Sequence, residues 1–500
     1  MTPDVRNPVQ TNDLEALFAL AEQALDTGEE GAAIPVVRAA AERLKGPRLW
    51  HWVGLLHRSL DQHEEALAAF EEAVRVSPNG PKIAQARAQT AMEAGVPAVD
   101  LFERALALAP QDGSVIVGLA AARNAAGDGE RGAADLAAML EQAPMWTFGH
   151  EQLAQFQATL GRPQEATASL ERALGRFPTA QPLWESLLNV QLRRGAYEAL
   201  RPTLDRARKA GVSSPEFAIY EAVHSAEFDD ATFPAPLFQE APPSAVPHIV
   251  NWRIRHLLRV GEIKALLPII DEELARNSSA EIWAYAATAW RLADDPRSEW
   301  LEGDSRLIGV TDLGSNLPPF DELAGTLRTL HGAKGEYLDQ SVRGGTQTDG
   351  PLFSRIDPII RKLRAAVATA VEDYVAQLPS PDMKHPLLRA RRDRRVRFSG
   401  SWSVRLRSGG RHSNHVHPQG WISSALYVAL PEKTVGERDD AGWLTLGQPD
   451  DKLSLNLEPW RKIEPKPAQL VLFPSWMWHG TIPFTEGERL TVAFDVRPPL

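Results

Sequence analysis

Apolar residues in the first two hundred positions recur with helical periodicity, in paired runs set at a fixed interval. Trp50, Gly54, Ala66, Phe70 and Ala73, closed by Pro78, fall on facing stripes of two consecutive helices. The closing prolines recur at Pro110, Pro144 and Pro178, separated by 32, 34 and 34 residues. Such a period marks stacked helical pairs rather than one globular core. Phe102 and Ala105 take the places of Phe70 and Ala73 in the second unit, Leu153, Ala154, Ala166, Leu170 and Ala173 fill the fourth, and Trp184, Leu204 and Ala207 continue a fifth. Alanine at these points lets paired helices approach closely, while Trp and Phe fill the groove between neighbours. Residues 14–45 read as a degenerate first pair, a cap.

From Ser213 the period blurs. The proline-rich stretch from Thr232 to Ser244 predicts a surface loop, and helical patterns over 250–276 and 280–293 carry an irregular solenoid to about residue 300. Beyond Pro318 the pattern changes. Residues 357–378, with Ile359, Ile360, Leu363, Ala366, Val367 and Val371, predict an amphipathic helix on the outside of a β-core. The octet from Ser341 to Thr348 reads as a polar turn or a loop of the site. Five short strands then follow at hairpin intervals, over 397–406, 422–430, 442–446, 469–473 and 490–496. The expected fold is multidomain α + β: a helical solenoid with its cap over 1–212, an irregular helical extension and linker over 213–320, and a β-domain over 321–500.

Composition narrows the function. Five hundred residues exceed what one core usually supports. The absence of cysteine removes disulfides, thiolate metal sites and cysteine nucleophiles together. A net charge of −11 argues against a nucleic-acid partner, whose footprint is a basic face. One basic run, Arg389 to Arg397, reads as a solvated connector or as a rim that receives an acidic substrate. The start, Met1 to Arg6, has no basic-then-apolar leader, and no segment approaches eighteen apolar residues, so a cytoplasmic protein without a membrane partner is expected.

The candidate chemistry lies near the end. In His412-Ser413-Asn414-His415-Val416-His417-Pro418, His415 and His417 stand two apart, on one face of an extended chain, and could grip one ion. A third ligand must come from elsewhere, and His479 is the natural candidate because it follows the buried-strand pattern Leu470-Val471-Leu472-Phe473. Imidazole suits iron, zinc, copper and nickel, so spacing does not choose the metal.

Ser401-Trp402-Ser403-Val404-Arg405-Leu406, His415-x-His417-Pro418, Ser423-Ser424-Ala425-Leu426-Tyr427-Val428, Phe473-Pro474-Ser475, His479 and Arg489 together resemble the C-terminal domain of bacterial 2-oxoglutarate- and Fe(II)-dependent oxygenases that carry tetratricopeptide repeats. The resemblance covers residues 340–500, and the helical pairs are similar to tetratricopeptide units. It implies a double-stranded β-helix of the cupin-like jelly-roll kind, Fe(II) on His415, His417 and His479, and 2-oxoglutarate as cosubstrate. In such domains a basic residue about ten positions beyond the distal His holds the cosubstrate's far carboxylate, which implies Arg489 here. Thr491 lies on the same strand face beside it, and Tyr427 either faces that carboxylate or is packed in the barrel. The chain departs from the family at His417, where the usual triad has a carboxylate. Asp495 is the nearby acid, expected to lie too far along the Arg489 strand to ligate. His412 is expected to be packed, and Trp476 and Trp478 to wall the site against water.

What the resemblance implies is a hydroxylase acting on a peptide or protein side chain delivered by the repeats. Homodimerisation through the repeats would explain the solenoid equally well. The competing reading is an interaction scaffold with a degenerate β-domain, and Arg489 separates the two, since a non-catalytic domain has no use for a buried cation facing the metal.

Overall fold

The computed structural model describes residues 12–228, 233, 234, 237, 246–276, 281–434 and 436–499. The extreme N-terminus and most of the proline-rich loop expected over 232–244 lie outside the described residues. The expected cap is a true helical pair, Leu14–Thr27 and Glu30–Leu44, with Asp13 capping the first helix by accepting from the Glu15 and Ala16 amides.

Antiparallel pairs then follow, beginning with Pro47–Ser59 and His63–Val76 and running to Gln181–Arg193 and Leu200–Lys209. The periodic aromatics are internal. Trp184 is buried, and its indole donates to the carbonyl of the closing Pro178 at 2.8 Å. His150, 34 positions earlier, reaches the carbonyl of Pro144 in the same way at 3.0 Å. Gly54 leaves the space that the Phe70 ring occupies, so the recurring glycine, tryptophan and proline are one packing unit.

The period does not end where the sequence pattern blurs. The first helix of successive pairs is followed by a left-handed residue at Gly28, Asp61, Gly95, Gly127, Gly161 and Gly195. The helices Val246–Arg259 and Glu281–Leu292 are followed in the same way by Gly261 and Asp294. Only glycine, and less readily aspartate or asparagine, reverses the chain cheaply in that conformation.

The β-domain has nine strands among the described residues: β1 (Gly309–Asp312), β2 (Val342–Gln347), β3 (Phe398–His412), β4 (Ile422–Ala429), β5 (Leu444–Leu446), β6 (Arg461–Ile463), β7 (Gln469–Pro474), β8 (His479–Thr481) and β9 (Arg489–Val496). They form a six-stranded sheet in the order β1-β7-β4-β9-β3-β2 and a three-stranded sheet β6-β5-β8, with every pairing antiparallel. This is the expected two-sheet β-helix. The five foreseen strands are present, and β1, β2, β6 and β8 are additional. The octet expected as a turn or loop is largely β2, an edge strand paired with β3. β1 belongs to the stretch expected as linker and closes the other edge.

Strand alternation places the site. On β9, Leu490, Val492, Phe494 and Val496 join an outer core, while Arg489, Thr491, Ala493 and Asp495 face the cavity between the sheets. That outer core is continuous from Val250 to Val496 and takes in Trp290, Leu301 and the helix Pro358–Gln377 through Ile360, Leu363, Val367 and Val371. The helical extension is thereby part of the body that carries the site.

The β-domain is moored along one edge of the solenoid, where the first helix of each pair turns into the second. Arg397 pairs with Glu30 and donates to the Gly28 carbonyl, and Arg394 pairs with Glu29. Arg364 holds Asp61, and the Ile356 amide donates to the Ala94 carbonyl. The Lys334 and Gly335 amides both donate to the Thr159 carbonyl, and the Asp339 amide donates to the Arg193 carbonyl. Part of the basic run is accordingly tied down, while Arg389, Arg391 and Arg395 stay exposed as a solvated connector would have them. Arg394 and Arg397 clasp the first helical pair, and Arg392 ties down the Leu378 and Pro379 carbonyls.

Candidate metal centre

Two extended segments bring three imidazoles together. β3 ends at His412, and the chain beyond it forms a bridge in which His415 and His479 exchange backbone hydrogen bonds, each 3.0 Å. The His417 amide donates to the Ser475 carbonyl at 2.9 Å, which anchors the second histidine against the same β7–β8 connection. One ligand atom each from His415, His417 and His479 falls within 4.8 Å of the other two.

The orientation of each ring follows from its Nδ1. His415 Nδ1 meets the Ser413 carbonyl at 2.8 Å, His479 Nδ1 meets the Met477 carbonyl at 3.0 Å, and His417 Nδ1 meets the Asp495 carboxylate at 2.6 and 2.8 Å. An acceptor at Nδ1 fixes the proton there and leaves Nε2 as a lone pair. Burial drives His415 and His479 well below the usual imidazole range, so both rings are neutral donors at ordinary pH. Three imidazoles, each with its Nδ1 anchored, are a donor set that fits a divalent transition metal.

Asp495 is not among the clustered ligand atoms, in keeping with the expectation that it does not ligate, but it does reach the centre from behind. Its carboxylate accepts from His417 and from the Ser423 hydroxyl at 2.6 Å, so the acid of this site stands behind a histidine instead of among the ligand atoms. The sequence signal was present, because Asp495 lies an even number of residues from Arg489 and shares its face. What was missed is the cross-strand pairing of Ser423 with Asp495, which sets the depth of the carboxylate.

Arg489 is 2% exposed, and its Nε has no hydrogen-bond partner. No carboxylate of the described residues pairs with it, and burial lowers its affinity for its proton below the ordinary arginine range. Tyr427 lies beneath the guanidinium, 5.1 Å from ring centroid to Cζ, and is the group of the described residues that interacts most directly with it. Thr491 lines the cavity beside Arg489, whereas Tyr427 backs it.

Other neighbours define the walls. Phe473 lies 4.8 Å from the His479 ring and Trp402 lies 5.6 Å from the His417 ring, centroid to centroid. The two tryptophans expected as walls point elsewhere. Trp478 donates to the Ala284 carbonyl and the Thr288 hydroxyl in the helical extension, and Trp476 packs on His385. Both lie in the turn between β7 and β8, which delivers Trp476 to the outer core and Trp478 to the helix Glu281–Leu292. His412 stacks on His415 at 5.8 Å and is held neutral, pushed down to about 3 chiefly by burial. The first residue of the octet read as a turn or a loop of the site, Ser341, does reach it: its hydroxyl lies 3.0 Å from His412 Nδ1 and 3.1 Å from His415 Nε2. It ends a strap, residues 331–341, that bonds β2 and β3 through His331 and Glu336 and the solenoid turns at Thr159 and Arg193 through backbone amides. Gly335 rests so closely on the Ala158 carbonyl and Gly161 that no side chain fits there.

Residues 400–495 match the family described as "Putative 2OG-Fe(II) oxygenase", and residues 47–79 match the tetratricopeptide repeat. The chain thus carries tetratricopeptide repeats followed by a domain of the 2-oxoglutarate/Fe(II) oxygenase kind. Among solved structures it is similar to MamA from Desulfovibrio magneticus RS-1 (16% identity, 32% of this chain and 93% of that one, TM-score 0.29). It is also similar to YrrB, described as a tetratricopeptide-repeat protein with an unusual peptide-binding site (17%, 35% and 93%, TM-score 0.28), and to a Pseudomonas putida prolyl-4-hydroxylase (16%, 41% and 96%, TM-score 0.25). At these scores the likenesses carry no weight for activity. No curated protein matches the chain.

Proposed function

We propose that the chain is a 2-oxoglutarate- and Fe(II)-dependent oxygenase that hydroxylates a peptide or protein side chain, with the repeats taking part in presenting that substrate. The observation that carries the reading is the convergence, on a single cavity, of three oriented imidazole nitrogens and one buried guanidinium with which no acid of the described residues pairs. A buried cation without a carboxylate partner is costly, so its presence is best accounted for by an anion that arrives with the cosubstrate. A scaffold with a non-catalytic β-domain leaves Arg489 without a reason.

In this reading His415, His417 and His479 hold the iron through Nε2. The Ser413 and Met477 carbonyls and Asp495 keep the rings in place, and Asp495 lends His417 the anionic character that a carboxylate ligand has in the usual triad. Arg489 presents its fork to the far carboxylate of 2-oxoglutarate, with Thr491 beside it and Tyr427 beneath. Phe473 and Trp402 exclude water from the ring edges. With iron, 2-oxoglutarate and dioxygen bound, the site would supply conversion of a C–H bond to an alcohol, one oxygen atom of dioxygen entering the alcohol and the other the succinate formed as 2-oxoglutarate loses carbon dioxide.

Two variants test this. His479→Ala should bring iron stoichiometry from one per chain to near zero while the helical circular-dichroism signal persists; iron retained at one per chain would remove the assignment. Arg489→Lys should weaken 2-oxoglutarate binding tenfold or more through loss of the bidentate contact, and an unchanged affinity would place the cosubstrate elsewhere.

A further inference from the structure

The cavity that reaches the histidines, about 1390 Å³, is not closed by the β-domain alone. Its outer wall is the solenoid, with Gly161 and Pro163 from one turn, Arg194 and Tyr197 from the next, and Trp252 from the extension. The volume exceeds the roughly 300–1,000 Å³ of small-molecule sites, so space remains beyond a cosubstrate.

Charge in this cleft is unevenly satisfied. Of its acidic residues, Asp339 is paired with Arg193, Glu336 with Arg343, Asp450 with Arg255 and Asp495 with His417, and Asp451 receives the Asn414 amide at 3.4 Å. Arg194, Lys334, Arg411 and Lys452 line the same cleft from four separate segments, and none forms an ion pair with a described residue. Lys452 instead rests its ammonium 4.3 Å from the Tyr197 ring. Arg411 stands directly across the β2–β3 ladder from Arg343, whose charge Glu336 offsets while that of Arg411 has no acidic partner among the described residues. This local positive excess occurs in a chain of net charge −11, which would otherwise repel an anionic partner.

We propose that the cleft selects an acidic polypeptide segment, with Asp or Glu side chains flanking the acceptor residue and seated on Arg194, Lys334, Arg411 and Lys452. The solenoid would then read the substrate at the mouth of the site, through the edge on which the β-domain is moored. The proposal rests on the oxygenase reading above and deepens it.

Fluorescence anisotropy of full-length protein with a fluorescein-labelled Glu/Gly decapeptide and its Lys/Gly counterpart tests it, with iron stoichiometry and 2-oxoglutarate affinity measured on the same samples. The acidic peptide should bind, weaken as salt rises, and lose at least tenfold in affinity in Arg194→Glu/Lys334→Glu, with Arg194→Gln/Lys334→Gln in between; the Lys peptide should not bind. Equal binding of the two peptides, or indifference to charge reversal, would overturn the proposal. So would a reversal that weakens only 2-oxoglutarate, since the cations would then steer the cosubstrate. Absence of iron and 2-oxoglutarate binding in the unaltered protein would defeat the oxygenase reading separately, whatever the peptides do.

Discussion

Two arginines are buried to nearly the same degree and are treated in opposite ways. Arg255, at the junction of solenoid and β-domain, is 6% exposed and pairs with both Glu227 and Asp450. Arg489, inside the barrel, is 2% exposed and pairs with neither Asp nor Glu among the described residues. The histidines divide likewise: in the solenoid both ring nitrogens of His150 are engaged, by Ser169 at 2.9 Å and by the Pro144 carbonyl, while in the barrel three rings keep Nε2 turned toward one another. Arg255 and His150 find their partners within the fold, whereas Arg489 has no acidic partner among the described residues and the three site histidines converge on one point.

The sharpest way to break this comparison is to replace both arginines by methionine. Arg255→Met strands two carboxylates and should lower unfolding free energy by about 3–5 kcal/mol. Arg489→Met removes a charge with no partner and should leave stability within about 1 kcal/mol or raise it, while abolishing 2-oxoglutarate binding. Equal destabilisation by denaturant titration would show that Arg489 is structural.

A pH titration extends the contrast to Glu302, which is 2% exposed beside Arg291 and is raised from 4.5 to about 7, chiefly by burial. The folded chain holds this proton more tightly than the unfolded one. The contribution is therefore complete below pH 4.5 and lost as pH rises through 7, a difference of roughly 3 kcal/mol. Glu302→Gln should flatten that decline, and an unchanged pH profile would contradict the assignment.

Smaller effects are expected at the edges of each class. Asp495→Asn keeps the fold but loosens His417, and should weaken metal binding 10–100-fold by competition titration; no change would mean that the carboxylate only supports the sheet. Arg361→Ala breaks an ion pair with Glu64 whose partners are about half exposed, and should cost under about 1 kcal/mol.

The sequence by itself determined whatever depends on local period. The 34-residue spacing, the His-x-His pair and the strand alternation behind His479 and Arg489 are properties of neighbouring residues, and the structure places them together as expected. Whatever depends on two distant segments meeting was decided by the tertiary structure. Asp495 reaches His417 across 78 residues through the β4–β9 register, and Trp478 turns away from the site because the helical extension offers it acceptors 190 and 194 residues earlier. Arg397 reads as one more residue of a basic run until Glu30, 367 positions before it, is found buried beneath it. Periodicity is set by the backbone geometry of one element, whereas a side chain's partner is set by which elements share a core, and here the helical extension and the β-domain share one.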